Sequence, residues 1–392
     1  MNPLVQIILI ILLAKILGEL VERFGFPSLI GEVAAGIVLG PAILNLVAPG
    51  EVIEFFADIG IIALLFMSGA QLNMKTFAKS EKVGLTTGLA GVAVPFAIGL
   101  AMGYLSGFGL HECIYLGIAL SVTSIGISVR TLVDLRQLKS KIGMTIVSAA
   151  VVDDVIGVIL LAVLTTLATG MGGLQDIVLK MIIIAVFFML VLTVGKKLIL
   201  WSFSSSRSAR THEMPYSVAI LIALITAVIA QEAGLHYAIG AFIAGLILGD
   251  SIRSDRLLYD SLADFAFGFF TAIFFASIGL FITFSSDSIS IPFILLMIVA
   301  AFAGKIAGGY IGSFWYLRDK AKSLLVGLGL SPRGEISLVV SKVALSSGLI
   351  SAALFSSVTF MVIVTIFLTP VVMTRGFSRL GSKDGRQAGD GI

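Results

Sequence analysis

The sequence predicts an all-α polytopic membrane protein with thirteen transmembrane helices, built as two inverted six-helix repeats joined by a linker helix. Three observations predict this fold class: an apolar composition, an asymmetric distribution of basic residues and an internal sequence match. Of the 392 residues, 58% are hydrophobic and only 12% are charged, whereas soluble domains carry about 25% charged residues. Lipid must therefore be the solvent for most of the surface.

Thirteen apolar segments follow one another, each near the roughly 20 residues that a bilayer-spanning helix needs. We expect a first repeat at 4–169, a linker helix at 175–200, a second repeat at 214–375 and a short cytoplasmic tail at 376–392. Neither a cleavable signal peptide nor a soluble domain is expected. The approximate segment bounds are 4–24, 27–47, 52–73, 83–107, 112–136, 141–169, 175–200, 214–233, 236–250, 257–283, 291–317, 321–347 and 351–375.

The basic residues predict the orientation. Most of the 26 Lys and Arg residues fall in loops that follow odd-numbered segments, or in the C-terminal tail. Cytoplasmic loops carry an excess of such residues. The pattern therefore predicts a multi-pass protein of the cell (inner) membrane with its N-terminus outside and its C-terminus in the cytoplasm.

An internal match relates segments 2 and 3 to segments 9 and 10. The run Ile30–Gly40 parallels Ile239–Gly249, at an offset of 209 residues. Seven spans separate the two copies, and seven is odd, so the copies cross the membrane in opposite directions. Inverted repeats are a feature of secondary transporters. Three further matches at the same offset join Ala63, Phe66 and Ser68 to Ala272, Phe275 and Ser277.

The fifth segment of each half is predicted to be broken. Segment 5 contains the polar stretch Ser121–Ser128, and segment 12 contains Gly329–Glu335 with Pro332 at mid-membrane depth. Proline removes a helix donor and clashes with the preceding turn. Two facing broken helices would direct backbone carbonyls and half-helix dipoles at a cation near the midplane.

Asp153 and Asp154 are adjacent carboxylates inside segment 6. A charge at this depth costs about 3 kcal/mol or more, so two adjacent carboxylates indicate a specific structural or functional role. Neighbouring helical residues point about 100° apart. One carboxylate can therefore pair with a base while the other faces a water-filled cavity. A purely structural pair is less favoured, because Ser or Thr would fill that role with less desolvation.

Lys305 lies mid-span in segment 11 and needs a counter-charge there. A buried pair of a lysine and a carboxylate is suited to exchanging protons, and the alternative is a lysine that extends to the membrane surface. Arg333 and Glu335 flank the segment 12 break, where structural and ion-translocating roles remain open. Glu32 and Asp58 are weaker candidates for the site. One cysteine and three histidines exclude an internal disulfide and disfavour a metal cluster.

These motifs resemble those of the monovalent cation/proton antiporter-2 family, and are most similar to the NapA-type sodium/proton antiporters. The resemblance covers nearly the whole chain, and the motifs occur in the family's order. They are Pro27–Glu32, Leu64–Gly69, Thr123–Gly126, Asp153-Asp154, Gly240–Gly245, Lys305 and Pro332–Glu335.

The resemblance implies a NhaA/NapA-like homodimer in which a core domain moves against a dimerisation domain. It also implies that Asp154 binds the ion, that Asp153 pairs with Lys305, and that the two broken helices cross beside them. Gln71 stands where the family often has an acidic residue, which argues against a role for charge there. No nucleotide-binding domain is expected after the last segment, and Asp153 stands where potassium-efflux relatives often have Gln. Both points favour a sodium-type exchanger.

The residues together predict a secondary active sodium (lithium)/proton antiporter, not an enzyme, with no cofactor and no nucleic-acid partner. Protons and a dehydrated Na⁺ or Li⁺ would compete for Asp154 and Asp153, and Thr123 or Ser124 would complete an oxygen shell around Na⁺ at Asp154. Two protons per cation would make the exchange electrogenic. The alternatives are a potassium/proton antiporter, which need not be electrogenic, an intramembrane aspartyl enzyme and a cation channel. The enzyme would need its two Asp on separate helices.

Overall fold

A computed structural model describes residues 2–169, 174–211, 213–282 and 290–389. Within these ranges, the side chains of 165–169, 174, 177, 335 and 381–389 are outside the description. All the regular structure in the described residues is helical. The protein is therefore all-α, as its sequence predicts.

Helices longer than five residues are numbered α1 to α13, with α5 and α12 each divided into halves a and b, and a short helix, Met74–Ala78, lies between α3 and α4. Each predicted segment overlaps one of them. The bounds are Pro3–Arg23 (α1), Leu29–Leu39 (α2), Glu51–Gln71 (α3), Glu81–Leu105 (α4), Leu110–Ser121 (α5a), Ile125–Asp134 (α5b), Lys141–Thr169 (α6), 174–206 (α7), Met214–Glu232 (α8), Tyr237–Arg253 (α9), 256–280 (α10), Ile291–Leu317 (α11), Lys320–Gly329 (α12a), Glu335–Ser346 (α12b) and Ala352–Gly389 (α13).

Ten helices of the described chain, with the two halves of α5 taken as one, are long and apolar enough to cross a membrane. Two shorter apolar helices, α2 and the Ile336–Ser346 part of α12b, accompany them. Helices α7 and α10 each contain one π-helical turn, at Val191–Gly195 and Ala266–Phe270. The sequence-based assignment of an apolar helical bundle is confirmed at this level.

Three segment boundaries differ from the predicted ones. Helix α2 ends at Leu39 rather than near 47, because Gly40 is followed by Pro41, which lacks a donor and restricts the residue before it. The polar link predicted at 201–213 begins as helix, since α7 continues to Ser206. The tail predicted from 376 is helical as far as Gly389.

The helices pack mainly within two groups. Helices α1 to α3 and α8 to α10 contact one another and form the panel group, while α4 to α6 and α11 to α13 form the core group. Helix α7 contacts both α6 and α8. Contacts between the groups are fewer, and α3 with α5b is one of them. A boundary between the two groups therefore runs through the molecule.

Four glycines of the panel group allow close approaches between facing helices. A Cβ atom at any of these positions would lie 1.9–2.3 Å from a carbonyl oxygen of the facing helix, so only glycine fits. The pairs are Gly69 with Phe242, Gly279 with Val33, Gly245 with Phe66, and Gly36 with Ala276.

These four pairs form two matching sets. The α3–α9 contacts of Gly69 and Gly245 have counterparts in the α10–α2 contacts of Gly279 and Gly36. The correspondence has an offset of 209 residues between α2 and α9 but 210 between α3 and α10. The sequence match of Ala63 with Ala272 is therefore one residue out of register with the packing, although it pairs the correct helices.

Candidate ion-binding site

The site begins where the two broken helices cross. Helix α5 is interrupted at Val122–Ser124 and α12 at Leu330–Gly334, the two stretches in which the sequence predicts breaks. Both breaks are buried in the core group. Hydrogen bonds from Ser124 N to Pro332 O (2.9 Å) and from Thr123 Oγ1 to Leu330 O (3.1 Å) join the breaks, and beside them Ser128 Oγ donates to Gly329 O (2.6 Å).

Arg333 is fully buried at this crossing, and its guanidinium donates to backbone carbonyls. Nη1 donates to Ser331 O at 2.6 Å, and Nη2 donates to Leu120 O and to Ala301 O. Carbonyls at helix C-termini carry partial negative charge. Arg333 therefore neutralises the ends of α5a and α12a. The side chain of its predicted neighbour Glu335 is outside the described residues.

Lys305 and Asp153 form a buried ion pair between α11 and α6. Lys305 Nζ donates to Asp153 Oδ2 at 2.7 Å, and the two side chains are 0% and 2% exposed. Oδ1 of Asp153 accepts no hydrogen bond from the described residues. The structure thus supplies the counter-charge that a lysine at this depth needs.

Asp154 lies on a different side of α6 and lines a cavity of about 400 Å³, while Asp153 is not part of that lining. Asp154 is itself 4% exposed. The cavity lies between panel and core, because its walls include Phe274 of α10 as well as Val122 of α5 and Ile336 of α12b. The two adjacent carboxylates therefore diverge, one to a lysine and one to a cavity.

The cavity extends from Asp154 towards one face of the bundle. Its other lining residues include Asp58 near the start of α3, and Gln231 and His236 where α8 ends and α9 begins. It therefore reaches the face at which α3 starts and α8 ends, which we call the cavity face. The loops at this face are poor in basic residues.

The structure brings only some of the predicted site residues together. Asp58 lines the cavity with Asp154, and Thr123 and Ser124 lie buried at the adjoining crossing. Glu32 is buried on α2, and it is not among the residues that line the cavity.

Sequence reasoning missed several residues that the cavity places near Asp154, among them Glu54, Gln231 and His236. A signal existed for Glu54, which precedes Asp58 by four residues and so shares its helix face. Arg130 was not among the predicted site residues either, and it is buried within α5b. Its i,i+4 spacing to Asp134 was the available sign.

The atoms that could bind a cation at this site are carboxylate, hydroxyl and backbone carbonyl oxygens. No group of three or more His, Cys, Asp or Glu side chains that could hold a metal occurs in the described part of the chain. One carboxylate beside hydroxyls and carbonyls is a hard oxygen environment, which suits an alkali cation better than a transition metal.

Comparison with known proteins identifies the family. Residues 8–375 match the family described as sodium/hydrogen exchanger, transmembrane. The chain belongs to this family. It is therefore a multi-pass integral membrane transporter and not an enzyme.

Similar proteins cover almost the same length. The chain is 33% identical to the Na⁺/H⁺-K⁺ antiporter GerN of Bacillus cereus over 97% of its own length and 96% of GerN. It is 29% identical to a Na⁺/H⁺ antiporter of Enterococcus hirae, with 94% and 97% covered. The sodium proton antiporter MjNhaP1 of Methanocaldococcus jannaschii has the same fold, with a TM-score of 0.68, 18% identity and 96% of each chain covered.

Proposed function

We propose that the protein exchanges sodium, or lithium, for protons by alternating access, with Asp154 as the shared binding group. The placement of Asp154 carries this proposal. Asp154 is buried beside the crossing of the broken helices and lines the cavity, while its neighbour Asp153 is engaged with Lys305. Asp154 is thus a carboxylate that either a proton or a cation from the cavity can neutralise.

The crossing supplies further oxygen ligands. The Thr123 hydroxyl uses its proton in a hydrogen bond to Leu330 O, so the oxygen lone pairs remain for a cation. Backbone carbonyls at the breaks and the Ser124 hydroxyl are of the same hard type. We infer a shell of Asp154, Thr123 and Ser124 around a dehydrated Na⁺.

An exchange ratio of two protons per cation would follow if the ion pair between Asp153 and Lys305 breaks during the cycle. The Lys305–Asp153 pair can hold or release a proton as the cation binds at Asp154. Exchange at this ratio moves one net charge per cycle, which is worth about 2.3 kcal/mol per 100 mV. Electrogenic exchange is therefore part of the proposal.

Alternating access would come from motion of the core group against the panel group. The matching glycine contacts of the panel helices support an inverted repeat, and the asymmetry of basic residues supports thirteen spans with an external N-terminus. In that orientation the cavity faces outside. The resemblance to the NapA-type members of the cation/proton antiporter-2 family supports a homodimer as the functional unit.

A potassium/proton exchanger is the second candidate. One observation favours it: GerN, which is 33% identical, is named a Na⁺/H⁺-K⁺ antiporter. Site size decides between the ions, because K⁺ is larger and needs a wider shell of oxygens. The first experiment therefore includes both cations.

The test uses purified protein in proteoliposomes with an internal pH dye. Na⁺, Li⁺ and K⁺ are added in turn to wild type, Asp154→Asn and the control Asp260→Asn, which alters an exposed carboxylate on α10. Cation-driven proton movement in wild type and the control, lost in Asp154→Asn, is the expected result. A folded wild type that moves no protons with any cation would contradict antiport, and an active Asp154→Asn variant would contradict the site.

A further inference from the structure

A second buried group of charges lies on α5b, away from the site described above. Arg130 and Asp134 are one helical turn apart, with Arg130 Nε 3.0 Å from Asp134 Oδ1. Their side chains are only 9% and 14% exposed. Ion pairs at this spacing normally lie on solvated helix faces, so burial of this pair calls for another partner.

The other contacts of Arg130 cross the boundary between the two helix groups. Nη2 donates to Ser28 Oγ at the start of α2, at 2.9 Å. The guanidinium also lies over the Phe267 ring of α10, 5.2 Å from its centroid. One side chain of the core group therefore holds two helices of the panel group.

The backbone of Phe267 is in turn hydrogen-bonded to a side chain of α1. It lies within the π-helical turn Ala266–Phe270, a local geometry that is frequent at functional sites. Its carbonyl oxygen accepts a hydrogen bond from Lys15 Nζ at 3.0 Å. The surface on which the Arg130 guanidinium rests is thus linked to a third panel helix.

Glu32 completes the cluster from α2. It is 2% exposed, and its Oε2 accepts no hydrogen bond from the described residues. Arg130 and Lys15 attract this carboxylate, and Glu22 repels it. A buried carboxylate is costly unless it is compensated, and one of the two cations that attract Glu32, Arg130, lies across the boundary in the core group.

The cluster and the cavity lie at opposite ends of the boundary. On α10, Phe267 precedes the cavity-lining Phe274 by seven residues, which is roughly 10 Å along a helix. On α5, Arg130 follows the cavity-lining Val122 by eight residues. The boundary is therefore open between Asp154 and the cavity face. Between Asp154 and the opposite face, it is filled by buried charged side chains.

We propose that Arg130 is a positioning residue that keeps the ion site closed to the face opposite the cavity. The proposal rests on the alternating-access function proposed above. To expose Asp154 to the opposite face, the core must withdraw Arg130 from Ser28 and Phe267, and Glu32 then becomes hydrated. These contacts thus set the balance between the two access states.

This balance can be measured through a cysteine placed in the cavity. Val158 lines it, so Val158→Cys is introduced in a Cys113→Ala background, which removes the single native cysteine. The protein is reconstituted in nanodiscs, where a polar maleimide reaches both faces. Arg130→Gln is expected to lower the labelling rate at least threefold, because it populates the state in which the cavity is shut. Arg130→Lys keeps the charge and should give an intermediate rate.

The matched control is Arg256→Gln, because Arg256 pairs with Asp260 at the same i,i+4 spacing but is 94% exposed and stays on one helix. If Arg130→Gln labels as fast as Arg256→Gln, the proposal is overturned. A merely structural role would lower the unfolding temperature without lowering the rate. Should Arg130→Gln fail to fold, Ser28→Ala removes one boundary contact and is compared in the same way.

The labelling does not require transport, so the two proposals fail separately. A wild type without antiport activity but with slower labelling of Arg130→Gln contradicts the exchange function and supports the closing contact. A wild type that exchanges ions, together with equal labelling rates, contradicts the closing contact alone.

Discussion

At the residue scale, the Lys305–Asp153 pair combines a stability cost with the role in proton exchange that we propose for it. Both groups are removed from water, and each is tolerated only because the other is present. We predict that Lys305→Met destabilises the protein by about 3–5 kcal/mol, since it leaves a buried carboxylate without its cation. Asp153→Asn together with Lys305→Met should recover most of this loss, as measured by thermal unfolding in detergent.

The control for this prediction is the pair of Lys322 and Asp319, at 3.5 Å with both side chains 36% exposed. Lys322→Met should change stability by less than about 1 kcal/mol, as is usual for solvated pairs. Equal effects of the two lysine substitutions would show that burial does not govern the Lys305 pair.

Thr123 tests the proposed cation shell. Thr123→Val removes one oxygen ligand and the hydrogen bond that the Thr123 hydroxyl donates to Leu330 O, a loss of about 1–1.5 kcal/mol for a typical hydrogen bond. We predict a roughly tenfold rise in the KM for Na⁺, and little change for Thr123→Ser. Thr359→Val, which removes a hydroxyl that donates to Phe355 O within α13, should leave KM unchanged. A KM insensitive to Thr123→Val would remove this residue from the shell.

At the scale of elements, the close packing of α3 against α9 requires glycine. A Cβ at Gly245 would lie 1.9 Å from Phe66 O, whereas one at Gly50 would contact nothing within 4 Å. Because the obstacle is backbone, Gly245→Ala must push the helices apart, and overpacking of this kind typically costs about 1–3 kcal/mol. Gly50 is the N-cap of α3, where alanine is less favourable than glycine, so Gly50→Ala should cost about 1 kcal/mol or less. Unfolding temperatures of the two variants provide the comparison.

The elements themselves could be predicted because their signals are local. Apolar length marks each span, and Pro332 and the polar stretch around Thr123 mark the two breaks. The partners of Arg333 could not be predicted, because its carbonyl acceptors Leu120 and Ala301 are distant in sequence. The early end of α2 was missed although Pro41 signals it, because the apolar run continues beyond the helix.

The candidate site, like the helices, could be predicted from the sequence only in part. Composition alone makes a mid-membrane Asp153-Asp154 pair and Lys305 conspicuous, and the structure pairs Asp153 with Lys305 and places Asp154 at the cavity. The walls of the cavity come from helices far apart in the chain, so Glu54 and His236 carried no comparable signal. Glu32, a weaker candidate for the site from the sequence, does not line the cavity and lies in the charged cluster around Arg130.

At the scale of the whole molecule, the arrangement is asymmetric: an acidic cavity reaches one face, and a buried charged cluster lies towards the other. Clefts lined by one sign of charge raise the local concentration of the opposite ion. Asp58 and Glu54 line the path to Asp154 and should concentrate cations there. Their effect on cation binding should therefore be seen only in the direction of transport in which cations enter from the cavity face.

We predict that Asp58→Asn with Glu54→Gln raises the KM for Na⁺ supplied at the cavity face several-fold and leaves the maximal rate intact. The rise should shrink as ionic strength approaches 0.15 M, where the screening length is about 8 Å. For Na⁺ supplied at the opposite face, KM should not change. Glu51→Gln, in the same helix turn as Glu54 but outside the cavity lining, is the control. A rise in KM at both faces would mean that these carboxylates act on the binding site itself rather than on the path that leads to it.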